Sequence, residues 1–130
     1  MFRVFDLAKN CYVREGFYLS PNGDLYMSKK TLFGTEKLSL VSSQRYVYQV
    51  DTGLYDENKV LIFEGDICRI ESLNAIGVIA YIPELASYCL LDDKELKYYP
   101  LGEERCKQLK IISNVFENEK YSSTEENSEV

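Results

Sequence analysis

The sequence predicts an all-β fold of antiparallel strands, barrel-like in outline, with a minor helical part. Three observations carry this expectation. Tyrosine is abundant, with 11 among 130 residues, and joins Val, Ile and Phe in short runs of strand-forming type. Those runs are bounded by Gly, Pro, Asn and Asp at close spacing, which leaves room for hairpins but not for βαβ crossovers. The composition, 45% hydrophobic and 28% charged, is that of a folded globular chain.

Taken in order, residues 2–5 read as a first strand, with a turn at 8–10. Residues 11–19 read as one continuous strand. Ser20-Pro21-Asn22-Gly23-Asp24 is a turn, because Pro presets φ and Asn-Gly accepts positive φ. A short strand is expected at 25–28. Residues 29–43 hold Gly34 and five Ser/Thr and read as loop, with a short strand near 38–41. Residues 45–50 alternate, with Tyr46, Tyr48 and Val50 on one face. Thr52-Gly53 and Asp56-Glu57-Asn58 are turn signals around an apolar run at 60–63. Glu64-Gly65-Asp66 breaks that run. Residues 67–71 resume it, with Cys68 and Ile70 sharing a core face. Further strands are expected at 77–82, 88–91, 96–101 and 109–116, with a short helix at 103–109. Residues 121–130 are polar, rich in Ser and Glu and without periodicity, the composition of a disordered tail.

The counts exclude much chemistry. There is no histidine, which removes the commonest general base and metal ligand and every Ser-His or Cys-His dyad. A Cys₄ zinc site would need Cys11, Cys68, Cys89 and Cys106, spaced by 57, 21 and 17 residues with no C-x₂₋₄-C knuckle. Four reduced, mostly buried thiols are the simpler expectation. No metal or cofactor is implied. The start, Met1-Phe2-Arg3-Val4-Phe5-Asp6, shows no secretory pattern, so a cytoplasmic location is expected. The longest apolar run, at 75–82, has eight residues, against about 20 for a membrane span. The net charge is −6, of which −4 falls in residues 117–130. A near-neutral body lacks the basic footprint of a dominant nucleic-acid binder.

One stretch is distinctive. Thr52-Gly53-Leu54-Tyr55-Asp56-Glu57-Asn58-Lys59 and Ile62-Phe63-Glu64-Gly65-Asp66-Ile67-Cys68 resemble the signature of the YopX family of bacteriophage and prophage proteins. Three further pieces agree in order. Phe2-Arg3-Val4-Phe5-Asp6 is similar to its N-terminal F-R-x-W-D, and Gly77-Val78-Ile79-Ala80-Tyr81 to its central strand. Ile112-Ser113-Asn114-Val115-Phe116-Glu117-Asn118 resembles the closing I-G-N-I-Y-E-N. The resemblance spans residues 2 to about 119. Lys59 replaces the usual hairpin glycine, Phe5 the Trp, Val50-Asp51 the Gln-Tyr, Ser113 a Gly and Glu119 a Pro. The resemblance implies a β-rich protein whose C-terminal half is a small SH3-like barrel, of uncharacterised biochemical role. It divides the chain into an N-terminal region (1–55), a barrel region (56–119) packed on it as one unit, and the acidic tail (120–130).

The motif residues Thr52, Gly53, Leu54, Asp56, Glu64, Gly65, Asp66, Gly77, Asn114, Glu117 and Asn118 are assigned structural roles. Glu64 and Asp66 could pair for acid–base work, but the reading adopted is a turn in which Asp66 caps local N–H groups and Glu64 is solvated. Asp92-Asp93 and Glu103-Glu104 read as a turn and a first helical turn. No catalytic residue is assigned. Tyr46, Tyr48, Tyr55 and Arg69 are the candidate interaction surface. The function expected is a non-enzymatic protein–protein interaction module, with an unknown protein partner of host or phage and a homo-oligomer as one form of it. A weak nucleic-acid-binding barrel that stacks bases on the tyrosines is the alternative.

Overall fold

The computed structural model describes residues 1–14 and 16–117. The expected acidic tail and Asn118 lie outside these residues. The chain forms two compact units. One is Phe2–Tyr48; the other is Met1 with the described residues from Gln49 onward.

The first unit holds β1 (Phe2–Asp6), β2 (Cys11–Val13), β3 (Phe17–Leu19), β4 (Leu25–Lys30), β5 (Glu36–Leu40) and the start of β6 (Tyr46–Tyr55). β1 and β2 form an antiparallel hairpin with Phe5 opposite Tyr12, the two rings 4.9 Å apart in an edge contact. β3, β4 and β5 form an antiparallel sheet in that order. The single strand expected at 11–19 is two strands. Gly16, at φ +89°, turns the chain so that β2 pairs with β1 and β3 with β4. The turn at 20–24 forms as expected: Gly23 takes φ +91°, its N–H donates to the Ser20 carbonyl, and Asp24 N–H donates to Ser20 Oγ. The stretch read as loop at 29–43 carries more strand than expected, because β4 runs on to Lys30 and β5 begins at Glu36.

Asp6 is buried in this unit. Its Oδ1 accepts the N–H groups of Ala8 and Lys9, and Arg45 reaches both carboxylate oxygens at 3.3 and 3.2 Å. The Arg45 hydrogen bonds, helped by the two backbone amides and opposed by burial, hold the Asp6 carboxyl below its ordinary value of 3.8. A depressed folded-state pKa adds stability above the unfolded value, and that stability is lost as pH falls through the lower folded value. Acid titration from pH 3.8 downward is therefore expected to lower the thermal midpoint of the wild type more steeply than that of Asp6→Asn. Equal acid slopes for the two chains would contradict the pairing.

The second unit holds the rest of β6, then β7 (Leu61–Phe63), β8 (Asp66–Ile70), β9 (Ala75–Ile82), β10 (Ser87–Asp92), β11 (Lys97–Pro100), α1 (Glu103–Cys106) and β12 (Leu109–Asn114). Five of these form an antiparallel half-barrel sheet in the order β11-β10-β9-β8-β12, where the resemblance implied a small barrel. Short 3-10 turns at Glu71–Leu73 and Pro83–Leu85 join its strands, each closed by a left-handed residue, Asn74 and Ala86. The core is Ile62, Cys68, Ile70, Ala75, Ile79, Leu90, Leu101, Cys106 and Leu109. The shared core face of Cys68 and Ile70 is as expected. The helix is one turn, shorter than the expected 103–109. Thr52-Gly53 is not a turn between strands but an irregularity inside β6: Asp51 pairs with Phe63 and Tyr55 with Leu61, so the β6 side carries extra residues. Cys68, Cys89 and Cys106 are buried and Cys11 is exposed; all four are free thiols.

Candidate interaction surface

The motif residues of the second unit are spent on backbone geometry. Thr52 Oγ1 donates to the Ile62 carbonyl (2.9 Å) and accepts Leu54 N–H (3.1 Å), fixing the irregularity that Gly53 permits at φ +76°. Asp56 is buried. Its Oδ1 accepts the N–H groups of Asn58 and Val60, and its Oδ2 accepts that of Ile111 on β12. Gly65 donates its N–H to Ile79 and accepts Val115 N–H, and it sits at φ +90° where a Cβ would overlap the side-chain amide of Gln49. Asp66, also buried, accepts Phe63 N–H at 2.8 Å, and Glu64 N–H donates to Val50. Asn114 Oδ1 accepts the N–H groups of Phe116 and Glu117, while its Nδ2 donates to Glu117 Oε1. Lys59, which stands in place of the family's glycine, still adopts φ +63°.

A groove of about 470 Å³ lies beside α1, lined in part by Leu54, Tyr55, Glu57, Lys59, Glu103 and Cys106. Burial pushes the Cys106 thiol up to about 11, so it stays protonated at neutral pH and is a poor nucleophile. Burial likewise raises the Cys89 thiol, and raises the Tyr88 phenol together with the nearby charges of Glu64 and Asp51. Among the described residues no group of three or more Cys, Asp or Glu is placed to hold a metal ion.

The four candidate surface residues do not share one unit. Tyr46 and Tyr48 belong to the first, Tyr55 and Arg69 to the second. The Tyr46 ring is tilted against Phe17 at 5.1 Å and carries the Arg45 guanidinium at 4.9 Å. Tyr48 donates its hydroxyl to the Gly23 carbonyl at 3.1 Å. Tyr55 is exposed at the groove beside α1. Arg69 is exposed on β8, between Ile76 of β9 and Lys110 of β12 in register.

The most exposed apolar surface lies elsewhere, in the sheet β3–β4–β5. The loop between β4 and β5 carries Leu32 and Phe33, 101% and 94% exposed. It is not slack. Thr31 N–H donates to the Thr35 carbonyl, Gly34 N–H donates to the Thr31 carbonyl, and the two threonine hydroxyls are 2.5 Å apart. Register places Tyr18, Tyr26 and Leu40 in one cross-strand row, with Ser28 opposite Leu38 and Lys30 opposite Glu36. Side chains alternate along a strand, so these residues share the outer face. The inner face carries Leu25, which is buried, and Phe17, which meets Tyr46. Sequence reasoning missed this surface because it read 29–43 as loop. The available signal was Thr31-Leu32-Phe33-Gly34-Thr35, two large apolar residues in a glycine turn, followed by the alternating Leu38 and Leu40.

Fold and motif together define a small antiparallel β-protein of two units, its motif used for turns and strand joints. The chain belongs to the YopX protein family, whose pattern it matches over residues 1–121. Two solved structures are similar. Protein yopX from Bacillus subtilis aligns at 14% identity and TM-score 0.56, covering 90% of this chain and 93% of that one. Protein EF1440 from Enterococcus faecalis aligns at 20% identity and TM-score 0.55, covering 92% and 96%. These likenesses establish the fold. No curated protein matches the sequence. Among the described residues no helix is long and apolar enough to cross a membrane.

Proposed function

We propose that this YopX family protein is a non-enzymatic protein–protein interaction module of phage or prophage origin, working in the cytoplasm of the bacterial host. The observation that carries the reading is the fully exposed pair Leu32 and Phe33, held in a hydrogen-bonded turn at the end of a sheet whose outer face also exposes Tyr18, Leu38 and Leu40. Exposed apolar patches of this extent mark contact surfaces. A loop already held in one conformation loses little entropy on docking. The absence of histidine and the protonated state of Cys106 support a role without chemistry. The alternative of bases stacked on tyrosines has less support, because Tyr46 and Tyr48 are engaged within their own unit.

The test is an affinity capture from cytosol of a prophage-carrying host, with and without nuclease, using wild type and Leu32→Ser/Phe33→Ser. The expected result is a protein held near stoichiometry by the wild type in both conditions and lost by the double variant. A catch that vanishes with nuclease would move the assignment to nucleic acid.

A further inference from the structure

We propose that the occupant of the outer β3–β4–β5 face is a second copy of this chain, packed face to face about a two-fold axis; this rests on the interaction reading above. The exposed area suits such a dimer. Tyr18, Leu32, Phe33, Leu38 and Leu40 are 50%, 101%, 94%, 53% and 65% exposed. For side chains of this size that is roughly 700 Å² of residue surface. A standard stable interface buries about 800 Å² on each partner. Together with the Lys30–Glu36 row that lies between the loop and Leu38 in register, these residues offer close to the area that one side of a stable dimer requires.

The charge pattern suits it as well. The outer face carries one cation and one anion, Lys30 and Glu36, in register beside the apolar row. It is neutral and self-complementary. A two-fold interface demands this, because each copy presents the same patch to the other. A phosphate-bearing partner would select a face of one sign. The lysine pair of this hairpin, Lys29 opposite Lys37, alternates onto the other face.

The test uses the full chain in a concentration series, with mass read by light scattering or sedimentation equilibrium. The wild type is expected to approach twice 15.1 kDa. Leu38→Glu/Leu40→Glu, at exposed positions, is expected to stay folded by circular dichroism and run as a monomer. Lys30→Glu and Glu36→Lys should each weaken the dimer by giving the face a single sign, and mixing the two should restore a dimer containing one of each. A dimer that persists in Leu38→Glu/Leu40→Glu would overturn the assigned face. A wild-type monomer whose Leu32 and Phe33 still capture a different protein would overturn the second copy as occupant while leaving the interaction reading standing. A wild-type monomer whose capture is indifferent to Leu32→Ser/Phe33→Ser would overturn both.

Discussion

Replacing Gly77 by alanine is expected to destabilise the second unit by about 3 kcal/mol or more, an overpacking cost at the upper end of the usual range. The reason is space. Gly77 lies opposite Cys68 in the β8–β9 pair, and the next residue, Val78, lies opposite Leu91 in the β9–β10 pair. A Cβ on Gly77 would overlap the Leu91 carbonyl oxygen and lie 2.5 Å from its carbon and 3.0 Å from the Asp92 nitrogen. All three are backbone atoms, so no rotamer change relieves the clash. The backbone there is also held from the other side. Asp92 is buried, and its Oδ1 accepts the N–H groups of Lys94 and Glu95, which fixes the turn that follows β10. The methyl group can enter only if β10 lifts from β9, which lengthens ladder hydrogen bonds and opens the core around Ile79 and Leu90.

Two other glycines serve as controls. Gly53 has open space around its Cβ position but sits at φ +76°, so Gly53→Ala should cost only the left-handed strain of about 1–2 kcal/mol. Gly102 has neither constraint, and Gly102→Ala should be nearly neutral. Urea or thermal unfolding of the three variants should rank them in that order. At about 4–8 °C per kcal/mol for a unit of this size, the Gly77→Ala midpoint should fall by roughly 12 °C or more. A Gly77→Ala midpoint no lower than that of Gly53→Ala would remove the close-approach argument.

Much of this architecture was legible in the sequence because turn chemistry is local. Ser20 to Asp24, Asp56 to Lys59 and Asp92 to Glu95 close through side-chain oxygens and amides a few residues apart. Their residue types therefore announce them. What was hidden depends on distant partners. Residues 11–19 look like one strand, but β2 and β3 take different neighbours. The Thr52-Gly53 pair reads as a turn, yet its conformation is absorbed within β6 by the hydrogen bond from Thr52 to Ile62. Gly77 was visible as a structural motif position, whereas the reason for it is the backbone of Leu91, fourteen positions on. The interaction surface was the least legible part. Exposure of an apolar residue is a property of what fails to cover it, and Leu32, Phe33, Leu38 and Leu40 resemble core residues until the sheet is built. The tyrosines drew attention instead, and two of them prove to be packing and hydrogen-bonding residues.

The second large effect is expected at Asp56. The residue is 6% exposed and its carboxylate joins segments 55 residues apart: Oδ1 holds the N–H groups of Asn58 and Val60 at 2.9 Å each, and Oδ2 holds that of Ile111 at 3.3 Å. The backbone repeats the connection, with Glu57 N–H donating to the Leu109 carbonyl at 2.8 Å. Alanine at this position would leave three amides without an acceptor. The amides of exposed Asn58 and Val60 can recover water, whereas that of half-buried Ile111 recovers less. The expected loss is about 2–3 kcal/mol, within the range for removing a charged acceptor from buried donors. Asparagine separates the two oxygens. Its carbonyl can replace Oδ1 and keep the turn, but its amide then points a donor at the Ile111 N–H. Asp56→Asn should therefore retain the 56–60 turn and still lose about half of the alanine effect, through β12 alone. Amide exchange distinguishes the two outcomes. In Asp56→Asn the Ile111 amide should lose protection while the Asn58 and Val60 amides keep theirs; in Asp56→Ala all three should exchange faster. An Asp56→Asn chain as stable as wild type, with Ile111 still protected, would mean that the β6–β7 turn and β12 are held together by the backbone alone.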